Sequence, residues 1–209
     1  MIYGSWKISE LEQPTISIFG GSRLQRESIY INFAHKLAHI LVDNNISIIT
    51  GGGPGIMEAA NFGASHRVES GKIRSFGIGV RGLKGEEGLN PYVKQSMMLD
   101  YFFARKYLLI YYSIGYVVFP GGYGTIDELA ELLTLMQTEK IKRGPVILIG
   151  ISFWQPFLEL LEAAKNQGLL DRGIIDIITT DDVEYAASIL VEHCKARKNT
   201  ADESPKKEQ

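Results

Sequence analysis

The chain has 209 residues, of which 45% are hydrophobic and 22% charged, and this is enough for one domain with its own core. Its 24 acidic and 22 basic residues give a net charge of −2, which excludes the general electrostatic attraction on which nucleic-acid binders depend. The single cysteine, Cys194, excludes an internal disulfide and a cysteine-rich zinc site. No stretch approaches the ~18 consecutive apolar residues of a membrane span, and the first residues lack a secretory signal pattern. These features predict a cytoplasmic protein.

Short apolar runs alternate with longer amphipathic stretches between about residues 15 and 196. The runs are rich in β-branched and aromatic residues and show no polar alternation, which is typical of strands that crossover helices cover on both faces. We therefore expect an α/β fold, a Rossmann-like doubly wound parallel sheet flanked by helices, in a single domain over residues 15–197. The predicted strands cover residues 16–19, 46–50, 75–80, 116–119 and 146–149, with a sixth at 174–178.

Segment 81–99 interrupts this alternation because it is glycine-rich and charged and contains Pro91. We predict a long loop there, and loops of such length in a compact domain usually serve function. Residues 1–14 are a predicted N-terminal extension without clear period, and residues 198–209, which lack large apolar side chains, are a predicted disordered tail. The predicted helices cover residues 25–43, 56–70, 101–112, 126–138, 153–167 and 183–197.

Glycine is in excess, with 22 residues, and it clusters where predicted strands end. Three small-residue loops each precede a predicted helix: residues 20–22 (GGS), 51–55 (GGGPG) and 120–125 (PGGYGT). We call them the first, second and third glycine loops. Parallel sheets bind ligands outside the carboxyl ends of their strands where the strand order reverses, and in the common 3-2-1-4-5 order the first and fourth strands flank that point. Because glycine lets the backbone approach a ligand closely and a helix start attracts anions, the loops indicate a phosphate site.

Patterns that the chain lacks narrow the kind of phosphate ligand. No GxxxxGK[ST] run is present, which disfavours a Walker-type nucleoside triphosphatase. The second glycine loop also fails the GxGxxG dinucleotide fingerprint, because Ile56 or Glu58 occupies its last glycine position. A monophosphate therefore fits best. The alternative is that these loops are rich in glycine for turn geometry alone.

Two charged groups near the predicted crevice are candidates for chemistry. Thr125 and Glu128 match a capping box, in which both side chains only satisfy backbone N–H groups. Alternatively, a carboxylate beside a phosphate cradle can stabilise positive charge at an anomeric carbon or take a proton from an attacking water. Arg105, next to Lys106 in an aromatic patch, is either a surface salt-bridge residue or a fixed cation near a phosphate or a departing base.

Histidine and cysteine offer no comparable signal. His35 and His39 are spaced i,i+4, but no glutamate lies between them and no further ligand set is evident, so we interpret them as helix-surface residues and predict no metal site. Cys194 has no evident catalytic partner, and the chain lacks the GxSxG elbow of serine hydrolases.

Three segments together resemble one known family. GGGPGIMEAAN (51–61), FFARK (102–106) and PGGYGTIDE (120–128) are similar to the Lonely Guy (LOG) family, the cytokinin riboside 5′-monophosphate phosphoribohydrolases. The resemblance implies hydrolysis of the N-glycosidic bond of a purine nucleoside 5′-monophosphate to free base and ribose 5-phosphate, without a metal or an organic cofactor. It also implies that Arg105 and Glu128 are catalytic. The predicted phosphate-binding residues are Gly121, Gly122, Tyr123, Gly124 and Thr125.

The resemblance carries further expectations about contacts and assembly. An acidic residue before the Arg-Lys helix is expected near the substrate, and Glu87, or its neighbour Glu86, is the candidate. Family members are commonly dimers or larger, with the site close to a subunit interface, so we expect a homodimer or higher homo-oligomer. The other predicted substrate contacts are Gly21, Ser22, Gly52, Gly53 and Lys106.

An apolar stripe on the predicted helix 126–138 suits either a subunit interface or the core. The stripe comprises Leu129, Leu132, Leu133 and Met136.

The chain also departs from the plant-type pattern, in which this helix starts Met-His-x-Arg-Lys and the second loop reads GGGxxGLMG. The differences alter the walls around the base, so two alternatives stay open. One is a broad-specificity nucleotide 5′-monophosphate nucleosidase, and the other is a non-catalytic carrier of a phosphorylated cofactor such as molybdenum cofactor. Similar chains are often labelled lysine decarboxylases, but nothing in the sequence marks a Schiff-base lysine for pyridoxal phosphate.

Overall fold

Seven parallel strands form one sheet within the residues that the computed structural model describes, which are 11–66, 74–82, 88–170 and 176–202. The strand order is β4-β3-β2-β1-β5-β6-β7, and each neighbouring pair is parallel. The predicted doubly wound parallel sheet is therefore confirmed. The strands are β1 (Thr15–Phe19), β2 (Ser47–Thr50), β3 (Ser75–Val80), β4 (Gln95–Leu99), β5 (Gly115–Val118), β6 (Val146–Ile149) and β7 (Ile177–Thr180).

Helices cover both faces of this sheet and divide its core into two layers. Ile16 and Ile18 of β1 belong to one buried cluster with α1, α2 and α6, and Phe19 belongs to the other, with α3, α4 and α5. None of the described helices is both long and apolar enough to cross a bilayer. The helices are α1 (Ile29–Asp43), α2 (Ile56–Ser65), α3 (Phe102–Tyr111), α4 (Tyr123–Gln137), α5 (Ile151–Asn166) and α6 (Val183–Asp202).

The strand order reverses between β1 and β5, near the centre of the sheet. From β1 the chain moves outward through β2, β3 and β4, and after α3 it returns to β5, which lies beside β1. The two strands stay paired as far as Phe19 and Val118. Because further strands then extend the sheet on the opposite side, the carboxyl ends of β1 and β5 flank a crevice, as predicted for the first and fourth strands.

Strand β4 lies inside segment 81–99, for which the sequence predicts a loop throughout. It pairs with β3 along residues Phe76 to Val80 and forms the edge of the sheet. The prediction is wrong at 95–99 because an edge strand has a neighbour on one side only and can keep half-buried polar residues such as Gln95 and Ser96. Such a strand lacks the continuous apolar run of the central strands.

Several predicted element ends also differ from the structure. Helix α4 begins at Tyr123 rather than at residue 126, because its N-cap is Gly122 within the third glycine loop. Helix α6 continues to Asp202 and so includes the first residues of the predicted tail. Residues 203–209 of that tail, residues 1–10 of the predicted extension and residues 83–87 lie outside the described residues.

The apolar stripe on α4 belongs to the core. Leu129, Leu132 and Met136 have no exposed surface and pack in the buried cluster with α3, α5 and the sheet, while Leu133 is half-buried. Of the two interpretations of the stripe, core packing is therefore the one that applies, since side chains already buried in the monomer are not available to a second subunit.

Replacing Leu132 with alanine should lower the free energy of unfolding by about 2–5 kcal/mol, because a cavity would form where a fully buried side chain was removed. Leu133→Ala on the same helix is the matched control and should cost less, since Leu133 is half-buried. Urea unfolding of both variants measures the difference. Equal losses would contradict the assignment of Leu132 to the core.

Candidate active site

A cavity of about 420 Å³ lies at the carboxyl ends of the central strands. Its volume falls in the range of about 300–1,000 Å³ that is usual for small-molecule sites. Residues of all three glycine loops line it, together with the first turns of α3 and α4. The sequence prediction of a site at this edge of the sheet agrees with that position. We call its apolar lining residues the apolar wall; they are Met57, Val80, Leu89, Met98 and Phe102.

Arg105 and Glu128 meet inside this cavity as a nearly buried ion pair. Arg105 Nη2 donates to Glu128 Oε1 at 3.0 Å, and the two side chains are only 14% and 11% exposed. Helix α3 supplies the arginine and α4 the glutamate. The guanidinium lies directly against Gly51 of the second glycine loop, where a Cβ atom would collide with Arg105 Nη2. The glycine at that position therefore leaves room for the arginine.

The ion pair leaves both partners able to interact with a further group. Burial raises the pKa of the Glu128 carboxyl and outweighs the opposing attraction of Arg105. A carboxyl whose pKa is shifted upward is closer to the range in which it can accept and release a proton near neutral pH. Arg105 Nε is buried and has no hydrogen-bond partner among the described residues, so the arginine is not fully paired within that part of the protein.

The third glycine loop forms the start of α4 and faces the same cavity. The backbone N–H groups of Gly122, Tyr123 and Gly124 precede the first intrahelical bonds, and within the described chain none has a protein acceptor. Together with the helix dipole they favour an anion. Thr125 is 5% exposed and its Oγ1 lies so close to Gly121 that a Cβ atom there would collide with it. The loop is therefore closely packed beneath its free N–H groups.

The capping-box interpretation of Thr125 and Glu128 is wrong. The helix begins at Tyr123, so Thr125 already lies within its first turn, and no side chain caps the helix start. Glu128 bonds Arg105 rather than a backbone N–H group. An earlier helix start explains the difference, because it moves Glu128 into the second turn, out of reach of the N-cap.

The first and second glycine loops serve partly as internal supports. The N–H of Gly21 donates to Pro120 O at 2.9 Å, which joins the first loop to the third. The N–H of Gly52 donates to Thr50 Oγ1 at 3.0 Å. Gly21 and Gly52, two of the predicted contact residues, line the cavity, but their N–H groups already donate hydrogen bonds within the protein. Ser22 and Gly53 also line the cavity.

Lys106 lines the rim of the cavity and binds two carboxylates of α4. Its Nζ lies 3.0 Å from Asp127 and 2.6 Å from Glu131. Burial alone would lower the pKa of Lys106, but the hydrogen bonds that its ammonium donates to Glu131 and Asp127 outweigh this effect, and the net result is a raised pKa. The ammonium therefore stays charged and ties α3 to α4.

Some residues fall outside the sequence prediction or outside the described chain. Glu86 and Glu87 lie outside the described residues. The sequence analysis missed Met98 and Leu89 because segment 81–99 was interpreted as one loop. The residues of Gln95–Leu99, QSMML, show neither polar and apolar alternation nor a continuous apolar run, so no local pattern indicates the strand that carries Met98 to the cavity.

The histidines of α1 form a cluster that the sequence does not reveal. His39 stacks on His66 from the end of α2 with ring centroids 3.5 Å apart and an interplanar angle of 19°, and both rings face Asp43. These three residues place possible ligand atoms within 4.8 Å of one another. Because the two rings are nearly parallel, the nitrogen lone pairs in their planes do not converge on one ion.

Burial raises the pKa of the Cys194 thiol to about 11, which makes it a poor nucleophile.

Sequence comparison identifies the family of this chain. The profile of a family described as "Possible lysine decarboxylase" matches residues 57–190, a region that contains Arg105, Glu128 and the third glycine loop. Two plant relatives of this chain carry the LOG name. The chain belongs to the LOG family. The resemblance that the three sequence segments indicate is thereby confirmed.

Two plant relatives illustrate the similarity. The rice (Oryza sativa subsp. japonica) protein named cytokinin riboside 5′-monophosphate phosphoribohydrolase LOG is 29% identical over 157 residues, which cover 74% of this chain and 63% of the rice protein. This chain thus spans less than two thirds of that relative's length. A relative from Arabidopsis thaliana with the same activity in its name is 29% identical over 167 residues, covering 79% of this chain and 76% of that protein.

Among solved structures, the molybdenum cofactor carrier protein from Chlamydomonas reinhardtii has the same fold. The TM-score is 0.61 and the identity 22%, over 88% of this chain and 99% of the carrier. At that identity the likeness concerns the fold of the LOG-family chain and not its ligand.

The raised pKa of Glu128 predicts a specific dependence of stability on pH. The folded protein holds the proton of the Glu128 carboxyl more tightly than the unfolded chain does. The contribution of Glu128 to stability is therefore complete at pH values below the ordinary glutamate pKa of 4.5, and it is lost as the pH rises through the raised pKa. Glu128→Gln cannot ionise. The free energy of unfolding of the wild type minus that of Glu128→Gln should therefore fall as the pH rises above 4.5. Urea titrations across this range measure it, and a difference that grows with pH would show that the pKa is lowered instead.

Proposed function

We propose that this protein hydrolyses the N-glycosidic bond of a purine nucleoside 5′-monophosphate, releasing the free base and ribose 5-phosphate. One observation carries the proposal: the buried Glu128 carboxyl, held by Arg105 at 3.0 Å, lies in the helix turn that follows the start of α4, where the N–H groups of residues 122–124 have no protein acceptor in the described chain. A phosphate at that helix start would place the attached sugar beside the carboxyl. The names of the relatives, both phosphoribohydrolases, support the same reaction.

The substrate would lie along the cavity from the third glycine loop to the apolar wall. The 5′-phosphate accepts hydrogen bonds from the free N–H groups of residues 122–124 and from Thr125, and Ser22 of the first loop closes the other side. The ribose lies over Glu128. The base then extends toward Met57, Leu89 and Met98, whose polarisable or apolar side chains suit the face of a purine ring.

The reaction breaks the bond between C1′ and the base nitrogen and forms a bond between C1′ and a water oxygen. As the base leaves, positive charge develops on the ribosyl ring, and the carboxylate of Glu128 stabilises it as carboxylates do in glycoside hydrolysis. Glu128 then takes one proton from the attacking water. The electron pair of the broken bond leaves with the base, and the guanidinium of Arg105 offsets the negative charge that develops there or orients the phosphoribosyl group. The proton that Glu128 took from the water then passes to the base nitrogen, which gives the neutral base and restores the carboxylate.

The base preference is the finer part of this proposal. The relatives are named for cytokinin ribosides, and an apolar wall would accept an N6-isoprenoid substituent. The same wall would accept unsubstituted adenine, because the contacts of the phosphate and of both catalytic residues do not involve the N6 substituent. We therefore propose a cytokinin-type or AMP substrate, with a broad nucleotide 5′-monophosphate nucleosidase as the alternative.

Two other readings of the fold make different predictions. A carrier of a phosphorylated cofactor would need the anion-binding loop but not the buried Arg105–Glu128 pair, so it would retain its ligand without breaking it. A pyridoxal-phosphate lysine decarboxylase needs a lysine that loses its proton to form a Schiff base. Lys106, the one lysine lining the cavity in the described part of the chain, has a raised pKa between Asp127 and Glu131, which opposes that role.

We also propose a cytoplasmic homodimer. Phe103, Tyr107 and Tyr111 are spaced by four residues on α3 and form an exposed aromatic stripe, with the rings of Tyr107 and Tyr111 stacked 5.1 Å apart. Exposed apolar patches of this kind mark interaction surfaces. Because Arg105 lies on the same helix, a second subunit on this stripe would lie near the active site, as expected for the LOG family.

The catalytic role is tested by Glu128→Gln, with Glu139→Gln, an exposed glutamate just beyond the end of α4, as the matched control. Purified protein is incubated with AMP or isopentenyladenosine monophosphate, and the free base is measured by chromatography. Glu128→Gln should reduce base release by about 10²- to 10⁴-fold, because it removes the proton acceptor and the negative charge. Glu139→Gln should change it little. Nucleotide bound by the wild type without release of base would favour the carrier, and equal activity of both variants would refute the role of Glu128.

The dimer is tested by Tyr111→Lys, which places a charge at the C-terminal end of the aromatic stripe. Sedimentation should show a dimer for the wild type and a 23.3 kDa monomer for the variant. Tyr185→Lys is the control, since Tyr185 is similarly exposed but lies on α6 across the sheet. A wild type that sediments as a single 23.3 kDa species would rule out a stable dimer.

A further inference from the structure

Two asparagines behind the cavity wall are buried. Both are distant in the sequence from Arg105 and Glu128. Asn61 of α2 has no exposed surface and Asn90, in the segment before β4, is 7% exposed. Buried amides are costly unless all their donors and acceptors are paired. Their hydrogen bonds therefore indicate what they hold in place.

Asn90 is bonded to the second glycine loop by both its backbone and its side chain. Its backbone N–H donates to Gly52 O at 2.8 Å, and its side-chain Nδ2 donates to Gly52 O at 3.0 Å and to Gly53 O at 2.9 Å. The side-chain Oδ1 accepts the N–H of Tyr92 at 3.2 Å. One asparagine thus joins the second glycine loop to the segment that leads into β4.

Asn61 extends this network to the ends of two strands. Its Oδ1 accepts bonds from Thr50 Oγ1 at 2.7 Å and from Asn90 Nδ2 at 3.0 Å, and its Nδ2 donates to Ser75 Oγ at 2.9 Å. Thr50 Oγ1 in turn accepts the N–H of Gly52. Every side-chain polar atom of both asparagines is therefore paired, and the network is rigid rather than adaptable.

The consequence for the cavity is the position of Leu89. This residue precedes Asn90, lines the apolar wall, and lies so close to Gly52 that a Cβ atom on that glycine would be 2.5 Å from Leu89 Cδ2. The bonds of Asn90 to Gly52 and Gly53 hold the segment that carries Leu89 against the second glycine loop. The phosphate-binding start of α4 makes no hydrogen bond to this network in the described chain.

We infer that Asn61 and Asn90 are positioning residues that shape the base-binding wall, acting through Leu89 and the second glycine loop. The inference rests on the proposed function, because it requires a base at that wall. The network supports one end of the cavity only. Disrupting it weakens recognition of the base and leaves recognition of the sugar phosphate intact.

Asn90→Asp tests this with the least change in shape. The substitution replaces the Nδ2 donor with a carboxylate oxygen, which faces the carbonyls of Gly52 and Gly53 and repels them. Affinity for AMP should fall by about tenfold, while affinity for ribose 5-phosphate should change by no more than about twofold, a spread typical of independent sites. A general loss of folding would instead lower the affinities for AMP and for ribose 5-phosphate equally. Asn32→Asp, an exposed asparagine on α1, is the control and should alter neither.

Two further measurements keep the inference falsifiable. Leu89→Ala removes the wall residue without disturbing the buried amides, and it should cause the same selective loss of AMP affinity. This variant therefore tests the inference even if Asn90→Asp fails to fold. Hydrogen exchange in Asn90→Asp should rise in residues 50–55 and 88–93 and stay unchanged in β1.

The outcomes separate the inference from the function on which it rests. An active wild type whose AMP and ribose 5-phosphate affinities fall together in Asn90→Asp, or not at all, overturns the inference alone. A wild type that binds no nucleotide overturns the proposed function, and the positioning role with it.

Discussion

The ion pair between Arg105 and Glu128 is the interaction on which the arrangement of the site depends. It joins α3, which precedes β5 in the chain, to α4, which follows β5. The pair lies at the point where the strand order reverses. A parallel sheet leaves a crevice there because its crossover helices diverge on opposite sides. The pair occupies that crevice, and Gly51 leaves the room that the guanidinium needs. Strand order, glycine loop and helix starts therefore all contribute to one contact.

Such a contact is a poor way to stabilise a fold. Removing charges from water costs more than their attraction returns unless the geometry is favourable, and apolar replacements of buried pairs are often more stable. The raised pKa of Glu128 has this origin, since burial outweighs the attraction of Arg105. The unpaired Arg105 Nε adds to the cost. A chain that keeps both groups in a cavity accepts this cost for a purpose other than stability, which is consistent with chemistry at that position.

The sequence is informative where a signal is local and incomplete where it depends on distant residues. Buried central strands appear as short apolar runs, and glycine loops mark their carboxyl ends, so the strand order and the region of Arg105, Glu128 and Thr125 could be predicted. Edge strand β4 carries half-buried polar residues and has no such run. The start of α4 at Tyr123 depends on the conformation of Gly122 rather than on residue type. Asn61 and Asn90 are 29 residues apart, and nothing in the local pattern of either indicates the other.

The neighbouring cations Arg105 and Lys106 show how helix geometry assigns different roles to similar residues. Asp127 and Glu131 are spaced i,i+4 and so lie on one face of α4, where both bind Lys106. Glu128 is rotated from Asp127 by about 100° around the helix, and it meets Arg105 instead. Lys106 is held by these two carboxylates and acts on Glu128 only through its charge, as one of the smaller influences on the pKa of that carboxyl. The arginine is thereby left as the cation of the cavity, paired with a single carboxyl and still carrying a free donor.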